Sequence, residues 1–245
     1  MGKEDKTGYK LVWSEEFDSG AISESDWSWD LGNGHRGWGN NEAQLYTDKV
    51  QNCVVKDKKL VITAKKESDG SITSARIHTS GKHSWKYGYF ECRCKIPSGK
   101  GTWPAVWFLS DGFHGEVSWP KCGEIDLLEH VGRRPGEVHF SLHSEEFNHR
   151  KNSQVTGVYQ LPEVLEGFHT YAMEWTPEGF TFFVNDQEMG RFLKGEKSGE
   201  AQWPFDQSFF LLINLAIGGG FGGEIDDTAL PAVLELDYIR VYQKV

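Results

Sequence analysis

Positive charge is scarce in this sequence. Its 245 residues include 26 Lys and Arg against 36 Asp and Glu, which gives a formal net charge of −10, and no Lys/Arg-rich run occurs. Nucleic acids and anionic membrane surfaces bind proteins through concentrated positive charge, so neither is expected as a partner. A sulfated polysaccharide would need a basic cleft and is disfavoured for the same reason. A neutral polysaccharide is compatible with this charge.

Cysteine is also scarce, and four residues are too few for a disulfide scaffold. Cys92 and Cys94 alternate with charged residues, so they share an apolar strand face with Phe90 and are predicted to be buried free thiols. A bridge between Cys53 and Cys122 stays open only if the fold brings them close together. The Cys-x-x-Cys spacing of zinc sites is absent from the sequence.

Long hydrophobic runs are absent as well. No stretch reaches the roughly 20 apolar residues of a transmembrane helix, and the polar stretch after Met1 lacks the apolar segment of a signal peptide. We interpret the chain either as cytosolic or as a mature secreted domain with a start Met added. Since an enzyme for a large polysaccharide usually meets it outside the cell, the secreted, extracellular alternative is favoured.

Aromatic residues and glycine, by contrast, are abundant. The sequence holds 10 Trp, 15 Phe and 8 Tyr, and it has 28 Gly against 8 Pro, which suits the tight turns of an all-β fold. Many short alternating segments and no convincing long helix predict a two-sheet antiparallel β-sandwich. No linker or repeat is found, so residues 9–245 are predicted to form one domain after a disordered polar tail at residues 1–8.

Two glycine-rich stretches, at residues 32–37 and 218–223, match the Gly-x-Gly-x-x-Gly pattern of dinucleotide-binding proteins. That function requires a helix to begin there within a βαβ unit. Neither stretch is followed by a credible helix, so both are predicted to be loops. The first carries Asn and Trp and can approach a ligand closely, and the second is expected at the end of a cleft.

The stretch at residues 123–130, Gly-Glu-Ile-Asp-Leu-Leu-Glu-His, alternates acidic and apolar residues and reads as a strand. Glu124 and Asp126 therefore share a face. Glu129 lies an odd number of residues further on, so a regular strand would turn it toward the core. One extra residue at Leu127 and Leu128, a β-bulge, would return Glu129 to the face of the other two carboxylates.

Three carboxylates on one face repel each other, which raises the pKa of at least one of them. Glycosidic bond cleavage uses a pair of carboxyl groups, one kept protonated by a raised pKa and the other ionised. A solvated acidic face on an exposed strand is the structural alternative. The bulge spacing and the aromatic context favour the catalytic interpretation.

The pattern Glu124-x-Asp126-x-x-Glu129 resembles the signature of glycoside hydrolase family 16, in the bulged form of its β-1,3-glucanases (laminarinases), agarases and carrageenases. The resemblance implies Glu124 as nucleophile, Glu129 as acid/base and Asp126 as the helper between them. It further implies a jelly roll of the concanavalin A type with a concave substrate cleft, endo cleavage and a retaining mechanism.

Other motifs resemble the same family and imply contacts to the substrate. Asn33 lies in a loop similar to the Asn-Gly-x-x-Gly-Trp-Gly-Asn-x-Glu loop of laminarinases, and Arg76 lies in a Thr-Ser-x-Arg-Ile strand. Trp103 and Trp107 share one face of a Gly-x-Trp-Pro-Ala-x-Trp strand and would form a stacking platform for sugar rings. The alternative for these two residues is burial in the core.

Three more residues complete the predicted cleft. Trp119 lies in a loop, Glu116-Val117-Ser118-Trp119-Pro120, that resembles the one presenting a Trp beside the scissile sugar, and His143 is implied near the acid/base. His139 and His143 would lie roughly 13 Å apart along a strand, too far to share one metal ion. Asn214 interrupts an apolar strand, and its amide needs either a structural partner or the substrate.

The resemblance also implies a structural calcium ion, held by Asp237 of the last strand and, less directly, by Glu16. Calcium takes oxygen ligands, so the chemistry allows this site. No cofactor is expected for catalysis. The expected partner is a neutral β-glucan, and the chain is expected to act as a monomer.

Three functions remain open at this point. The first is cleavage of internal β-1,3-glucosidic bonds of laminarin-type glucan, favoured by the loop around Asn33. The second is cleavage of mixed-linkage β-1,3-1,4-glucan or of a galactan such as agarose. The third, from another class, is a non-catalytic β-glucan recognition domain, which would typically lack the catalytic glutamates that are intact here.

Overall fold

The structure, a computed structural model, describes residues 6–115 and 118–245. Residues 1–5 of the predicted tail, and Glu116 and Val117 of the predicted loop before Trp119, lie outside these ranges. Within the predicted tail, Lys6 already makes ordered contacts, since its Nζ lies 2.7 Å from a carboxylate oxygen of Glu91. The ordered contacts therefore begin earlier than residue 9.

Seventeen strands are found in the described part of the chain. They are β1 Tyr9–Glu15, β2 Ser28–Trp29, β3 Leu45–Tyr46, β4 Cys53–Lys56, β5 Lys59–Lys66, β6 Ile72–Ser74, β7 Arg76–His78, β8 Gly88–Lys95, β9 Thr102–Ser110, β10 Glu124–Glu129, β11 Glu137–His143, β12 Val155–Gln160, β13 His169–Thr176, β14 Gly179–Val184, β15 Gln187–Leu193, β16 Phe209–Ile217 and β17 Ala232–Lys244. The helical segments are single short turns: Gly37–Asn41, His149–Lys151, Pro162–Leu165, Gly219–Gly222 and Asp227–Ala229.

The strands form two sheets. One runs in the order β15-β14-β13-β8-β17-β5-β6-β3, with β1 beside β17 and β4 beside β5, and the other runs β12-β11-β10-β9-β16-β7-β2. Every strand pair of the described residues is antiparallel except β3 with β6, which is parallel. The predicted two-sheet antiparallel sandwich is thus confirmed, with one short parallel pair that the sequence pattern did not indicate.

Aromatic rings fill the space between the sheets. The rings of Phe90 and Phe108 meet edge to face at 5.2 Å, and those of Phe140 and Phe182 stack at 4.8 Å. Each fully buried Phe contributes about 1.5–3 kcal/mol relative to an exposed one. The core thus holds the two sheets face to face and fixes the sheet that contains β10. Among the residues described, no helix is long and apolar enough to cross a membrane.

The four cysteines are buried and unbridged, which confirms the prediction for Cys92 and Cys94 and excludes the bridge that was left open between Cys53 and Cys122. Cys92 and Cys94 lie on the core face of β8 and are fully covered. Burial raises the pKa of Cys94 well above its usual value, which makes it an unreactive thiol.

The β-bulge in β10 is present between Asp126 and Glu129, where the odd spacing of these two carboxylates predicts it. Against β9, Asp126 pairs with Trp107 but Glu129 pairs with Ala105, so three steps along β10 correspond to two along β9. The register with β11 shifts over the same interval. Leu127 and Leu128 are both buried, and Glu129 turns back to the face of Glu124 and Asp126.

Candidate active site

A cleft of about 470 Å³ lies on the face of the β10 sheet that points away from the core. The three carboxylates of β10 line it, together with side chains from β9, β16 and β7 and from the loops that follow β2 and precede β10. Of the predicted contact residues, those lining this cleft are Arg76, Trp103, Trp107, Trp119 and Asn214. The catalytic strand and most of its predicted partners are therefore assembled in one place.

Each of the two glutamates accepts a hydrogen bond from a different tryptophan. The indole Nε1 of Trp119 donates to Glu124 Oε2 at 2.7 Å, and Nε1 of Trp103 donates to Glu129 Oε1 at 2.9 Å. Since the indole N–H is a donor only, both bonds are made to an acceptor oxygen of the carboxyl group. The tryptophans expected to contact sugar rings thus also fix the orientation of the carboxylates.

Burial is the main electrostatic influence on the three carboxylates. It raises the pKa of Glu124, Asp126 and Glu129 to about 8 each, and the charge of Asp126 adds to the rise at both glutamates. Crowded charge acts in the expected direction, but loss of solvent is the larger cause. The trio as a whole therefore holds protons more tightly than free carboxyl groups do.

His143 lies beside the nucleophile candidate, across the β10–β11 ladder from Glu124. Its Nε2 is 3.3 Å from Asp126 Oδ2 and 3.7 Å from Glu124 Oε1. The resemblance implied a position near the acid/base Glu129, whose partner across the ladder is instead His139. The structure therefore places His143 at the Glu124 end of the strand.

Asn214 has a structural partner, which answers the question left open by the sequence. Its Oδ1 accepts a hydrogen bond from Trp107 Nε1 at 2.7 Å, and its Nδ2 donates to the Tyr46 hydroxyl at 3.0 Å. The Tyr46 hydroxyl in turn donates to Glu42 Oε2 at 3.2 Å, and Gln44 Nε2 donates to the same oxygen at 2.7 Å. A buried polar chain thus runs beneath the cleft and orients the Trp107 ring.

Arg76 is held between two aromatic rings. Its guanidinium carbon lies 4.7 Å from the centre of the Trp38 ring and 4.9 Å from that of Trp107, and its Nε is 2.8 Å from Asp30 Oδ2. Trp38 reaches this position from a left-handed backbone conformation, with φ of 56°. A Cβ at Gly34 would come within 2.7 Å of the Trp38 ring, so the loop needs glycine there.

Asn33, the predicted sugar contact of the same loop, is used differently. Its Nδ2 donates to the backbone oxygens of Glu42 at 3.2 Å and of Gln44 at 2.8 Å, and Asn33 is absent from the side chains that line the described cleft. The amide closes the glycine-rich loop on itself. The residues of this loop that line the cleft are His35, Trp38, Gly39, Asn40 and Glu42.

Several residues at the site were not singled out from the sequence. Phe221 lies in the turn Gly219–Gly222 and meets the Trp103 ring edge to face at 5.5 Å and the His139 ring at 5.1 Å. On the opposite side, the His149 ring packs against the Trp119 ring at 4.8 Å with a tilt of 32°, and Arg150 lies 4.5 Å from the same ring. The sequence signal that could have revealed Phe221 is its position as a single aromatic residue within a run of glycines.

The predicted calcium ligands lie together in a separate pocket, but both are paired with arginine. Asp237 Oδ2 is 2.5 Å from Arg93, and both Glu16 carboxylate oxygens accept hydrogen bonds from Arg240 at 2.9–3.0 Å. Asp18 and Lys58 complete the charged lining, which then holds as many basic as acidic groups. Residues arranged in this way do not fit a calcium site, so calcium remains a prediction of the resemblance alone.

Comparison with known proteins agrees with the geometry. The model of glycosyl hydrolases family 16 matches residues 40–233. A β-glucanase of Rhodothermus marinus is 45% identical over 246 residues, which covers 96% of this chain and 85% of the relative. The structure of a laminarinase from Flavobacterium sp. UMI-01 is 46% identical with a TM-score of 0.90, and the match covers 96% of this chain and 100% of that one.

A variant of SCLam, a non-specific endo-β-1,3(4)-glucanase, is also similar in structure. It is 36% identical with a TM-score of 0.90, over 98% of this chain and 96% of the other, and it holds a 1,3-β-D-cellobiosyl-glucose at its active site. The family match extends over most of the sequence and includes the bulged strand with its three carboxylates. This chain belongs to glycosyl hydrolase family 16.

Proposed function

We propose that this family 16 glycoside hydrolase is an endo-β-1,3-glucanase of the laminarinase type. The observation that carries the proposal is the bulge in β10, which brings Glu124, Asp126 and Glu129 to one face of the cleft. Trp103 and Trp119 bond to the two glutamates and offer ring faces to a neutral sugar. A β-glucanase and a laminarinase among the similar proteins support a β-1,3-glucan as substrate.

The proposed mechanism is a retaining double displacement. Glu124 attacks the anomeric carbon and forms a covalent glycosyl–enzyme bond, while Glu129 gives its proton to the departing glycosidic oxygen. In the second step Glu129 takes a proton from water, the water oxygen attacks the same carbon, and Glu124 leaves. Both displacements invert the anomeric centre, so the product keeps the β configuration.

The two roles require opposite protonation states, and the pKa of both glutamates is raised to about 8. Burial and the Asp126 charge raise the pKa of Glu129, which supports its service as an acid. At both glutamates the nearby His143 and a tryptophan hydrogen bond act in the lowering direction on the pKa, from Trp119 at Glu124 and from Trp103 at Glu129. Asp126 lies between the two and helps to keep the shared proton on Glu129.

A substitution at Glu124 tests this assignment. Glu124→Ser should abolish hydrolysis of laminarin and leave binding of laminari-oligosaccharides largely intact, because the cleft keeps its aromatic and polar lining. Proton NMR of the first product released by the unaltered enzyme should show the β anomer. Near-native turnover by the variant, or an α product, would exclude Glu124 as the nucleophile.

Mixed-linkage β-1,3-1,4-glucan is the second candidate substrate, because one similar structure is that of a non-specific endo-β-1,3(4)-glucanase. Release of reducing sugar from laminarin, lichenan and agarose, measured side by side, separates the alternatives. The proposal predicts the highest kcat/KM on laminarin, together with a rapid fall in viscosity that marks internal cleavage. No release from any of the three, with laminarin still bound, would instead indicate a recognition domain.

The remaining parts of the proposal concern location and assembly. A polymeric glucan is too large to cross a cell membrane, so the enzyme is proposed to act outside the cell. It is proposed to act as a monomer, because the cleft described above is formed by one chain. Sedimentation or light scattering on the purified protein tests the second statement.

A further inference from the structure

Two carboxylates and one imidazole converge at the nucleophile end of the cleft. Glu124, Asp126 and His143 each offer one ligand atom, and these atoms all lie within 4.8 Å of one another. The strand register brings them together, since Glu124 pairs directly with His143 and Asp126 lies two residues further along the same face. His139 is too far along β11 to join this group, as the strand spacing predicts.

Two of the three separations, those to His143, are close to the edge of a tetrahedral metal site. Zinc binds imidazole nitrogen and carboxylate oxygen at about 2.0–2.2 Å, which places neighbouring ligand atoms of a tetrahedron about 3.3–3.6 Å apart. His143 Nε2 lies 3.3 Å from Asp126 Oδ2 and 3.7 Å from Glu124 Oε1. Both distances are therefore close to the edge of a zinc tetrahedron before any side chain moves.

An independent observation also points to a ligand here. Asp126 is 3% exposed, and its Oδ2, the oxygen that faces His143, is buried without a hydrogen-bond partner. Buried polar atoms are nearly always bonded, so this orphaned acceptor calls for a cation or a donor. Glu124 uses Oε2 to accept from Trp119, which leaves its Oε1 on the His143 side.

From this geometry we propose that Glu124, Asp126 and His143 bind a divalent transition-metal ion such as Zn²⁺. Three protein ligands leave the fourth position of the tetrahedron open toward the cleft. Calcium and magnesium fit poorly, because they prefer six or more oxygen ligands and take no imidazole nitrogen readily. The bound ion would coordinate the nucleophile Glu124 and so inhibit the enzyme. This inhibition rests on the proposed function, but the metal binding does not.

The ion is expected to be exchangeable rather than resident. A metal-binding histidine usually donates its second ring N–H to a fixed acceptor, and loss of such a partner typically weakens binding about 10–100-fold. Nδ1 of His143 is buried and has no hydrogen-bond partner among the described residues. The site therefore resembles a position that captures free metal reversibly and competes with substrate.

Isothermal titration of the tag-free protein with ZnCl₂ tests the binding directly. One ion should bind per chain, and His143→Gln should weaken the binding at least tenfold. His139→Gln is the matched control, because His139 lies on the same face of the same strand and its Nε2 has no hydrogen-bond partner among the described residues and lies 3.5 Å from a single carboxylate, that of Glu137. The control should change the zinc affinity less than twofold. No binding, or equal loss in both variants, would overturn the proposal.

A spectroscopic measurement keeps the test valid if His143→Gln folds poorly. Co²⁺ added to the unaltered protein should give the strong visible absorption of a tetrahedral site, and laminari-oligosaccharide should displace it. Glu124→Gln should weaken that absorption. An octahedral, weakly coloured spectrum, or one insensitive to both changes, would place the ion elsewhere. Zinc binding without loss of laminarin hydrolysis would contradict the proposed role of Glu124 but leave the metal site standing.

Discussion

Replacing Glu129 by glutamine should make the protein more stable at neutral pH while it abolishes hydrolysis. Glutamine has the shape of the protonated side chain, and its amide oxygen can still accept the hydrogen bond from Trp103 Nε1. What the change removes is the ionisable group that lies half-buried beside Asp126. The gain in stability should therefore depend on pH in a way that a simple packing effect would not.

The sign follows from the two pKa values. Burial and the Asp126 charge raise the pKa of Glu129 to about 8 in the folded protein, whereas a free Glu titrates at about 4.3. The folded state therefore binds the proton more tightly than the unfolded state. The stability that this proton contributes is fully present below about pH 4 and is lost progressively as the pH rises toward 8.

The magnitude can be bounded from the same values. Each pH unit between the two pKa values removes about 1.4 kcal/mol, so on the order of 3–4 kcal/mol would be lost by pH 7 for an isolated group. Glu129 shares its protons with Glu124 and Asp126, so we expect about half of this, roughly 2 kcal/mol. In a chain of this size that corresponds to a rise in Tm of about 4–8 °C.

Thermal unfolding of the unaltered protein and of Glu129→Gln, recorded at pH 4 and pH 7, measures this difference. The two proteins should melt together at pH 4 and separate at pH 7. Glu188→Gln is the control, because Glu188 pairs with Arg191 on the surface and this contact lowers its pKa. Replacing Glu188 by glutamine should therefore not raise the Tm at pH 7. If Glu129→Gln differed from the unaltered protein by the same Tm at both pH values, or melted at a lower temperature at pH 7, the electrostatic reasoning would be refuted.

Three further predictions concern the surroundings of the site. Trp103→Ala should weaken laminarin binding with little change in Tm. It should also move the basic limb of the pH–rate profile to higher pH, because the hydrogen bond from Trp103 lowers the pKa of Glu129 and its loss raises that pKa. A collapse of Tm would instead show that the ring is part of the core. Tyr46→Phe should raise KM more than it lowers kcat and cost about 1–3 kcal/mol of stability, since Asn214 Nδ2 loses its buried acceptor; unchanged KM would mean that Trp107 is oriented without this chain. EDTA should leave Tm unchanged, because arginines already neutralise the pocket around Asp237; a fall in Tm that calcium reverses would show that an ion displaces them.

The strand patterns, and the bulge in particular, were readable from the sequence because strands have a fixed period of two. Glu129 stands at an odd distance from Asp126, and only an extra residue reconciles that distance with a shared face. The same parity placed Trp103 with Trp107, and Cys92 with Cys94, on common faces. The strand period alone therefore predicts most of the residues on the floor of the cleft.

Loops have no such period, and there the sequence was less informative. Asn33 and Trp38 lie in one glycine-rich loop, yet Asn33 bonds to the loop itself and Trp38 packs on Arg76. The difference depends on backbone conformations such as the left-handed φ of Trp38, which no local pattern requires. Phe221 was missed for the same reason, since its direction is set by a turn of glycines.

The two tryptophan–glutamate pairs suggest why this cleft uses indoles rather than cations beside its carboxylates. An arginine beside Glu129 would hold the ionised form strongly and leave no proton to donate at neutral pH. The Trp103 indole donates one uncharged hydrogen bond, which orients the carboxylate but leaves its pKa raised to about 8. Its ring remains available to a neutral sugar. One residue type can therefore position the catalytic group, preserve its proton and bind the substrate.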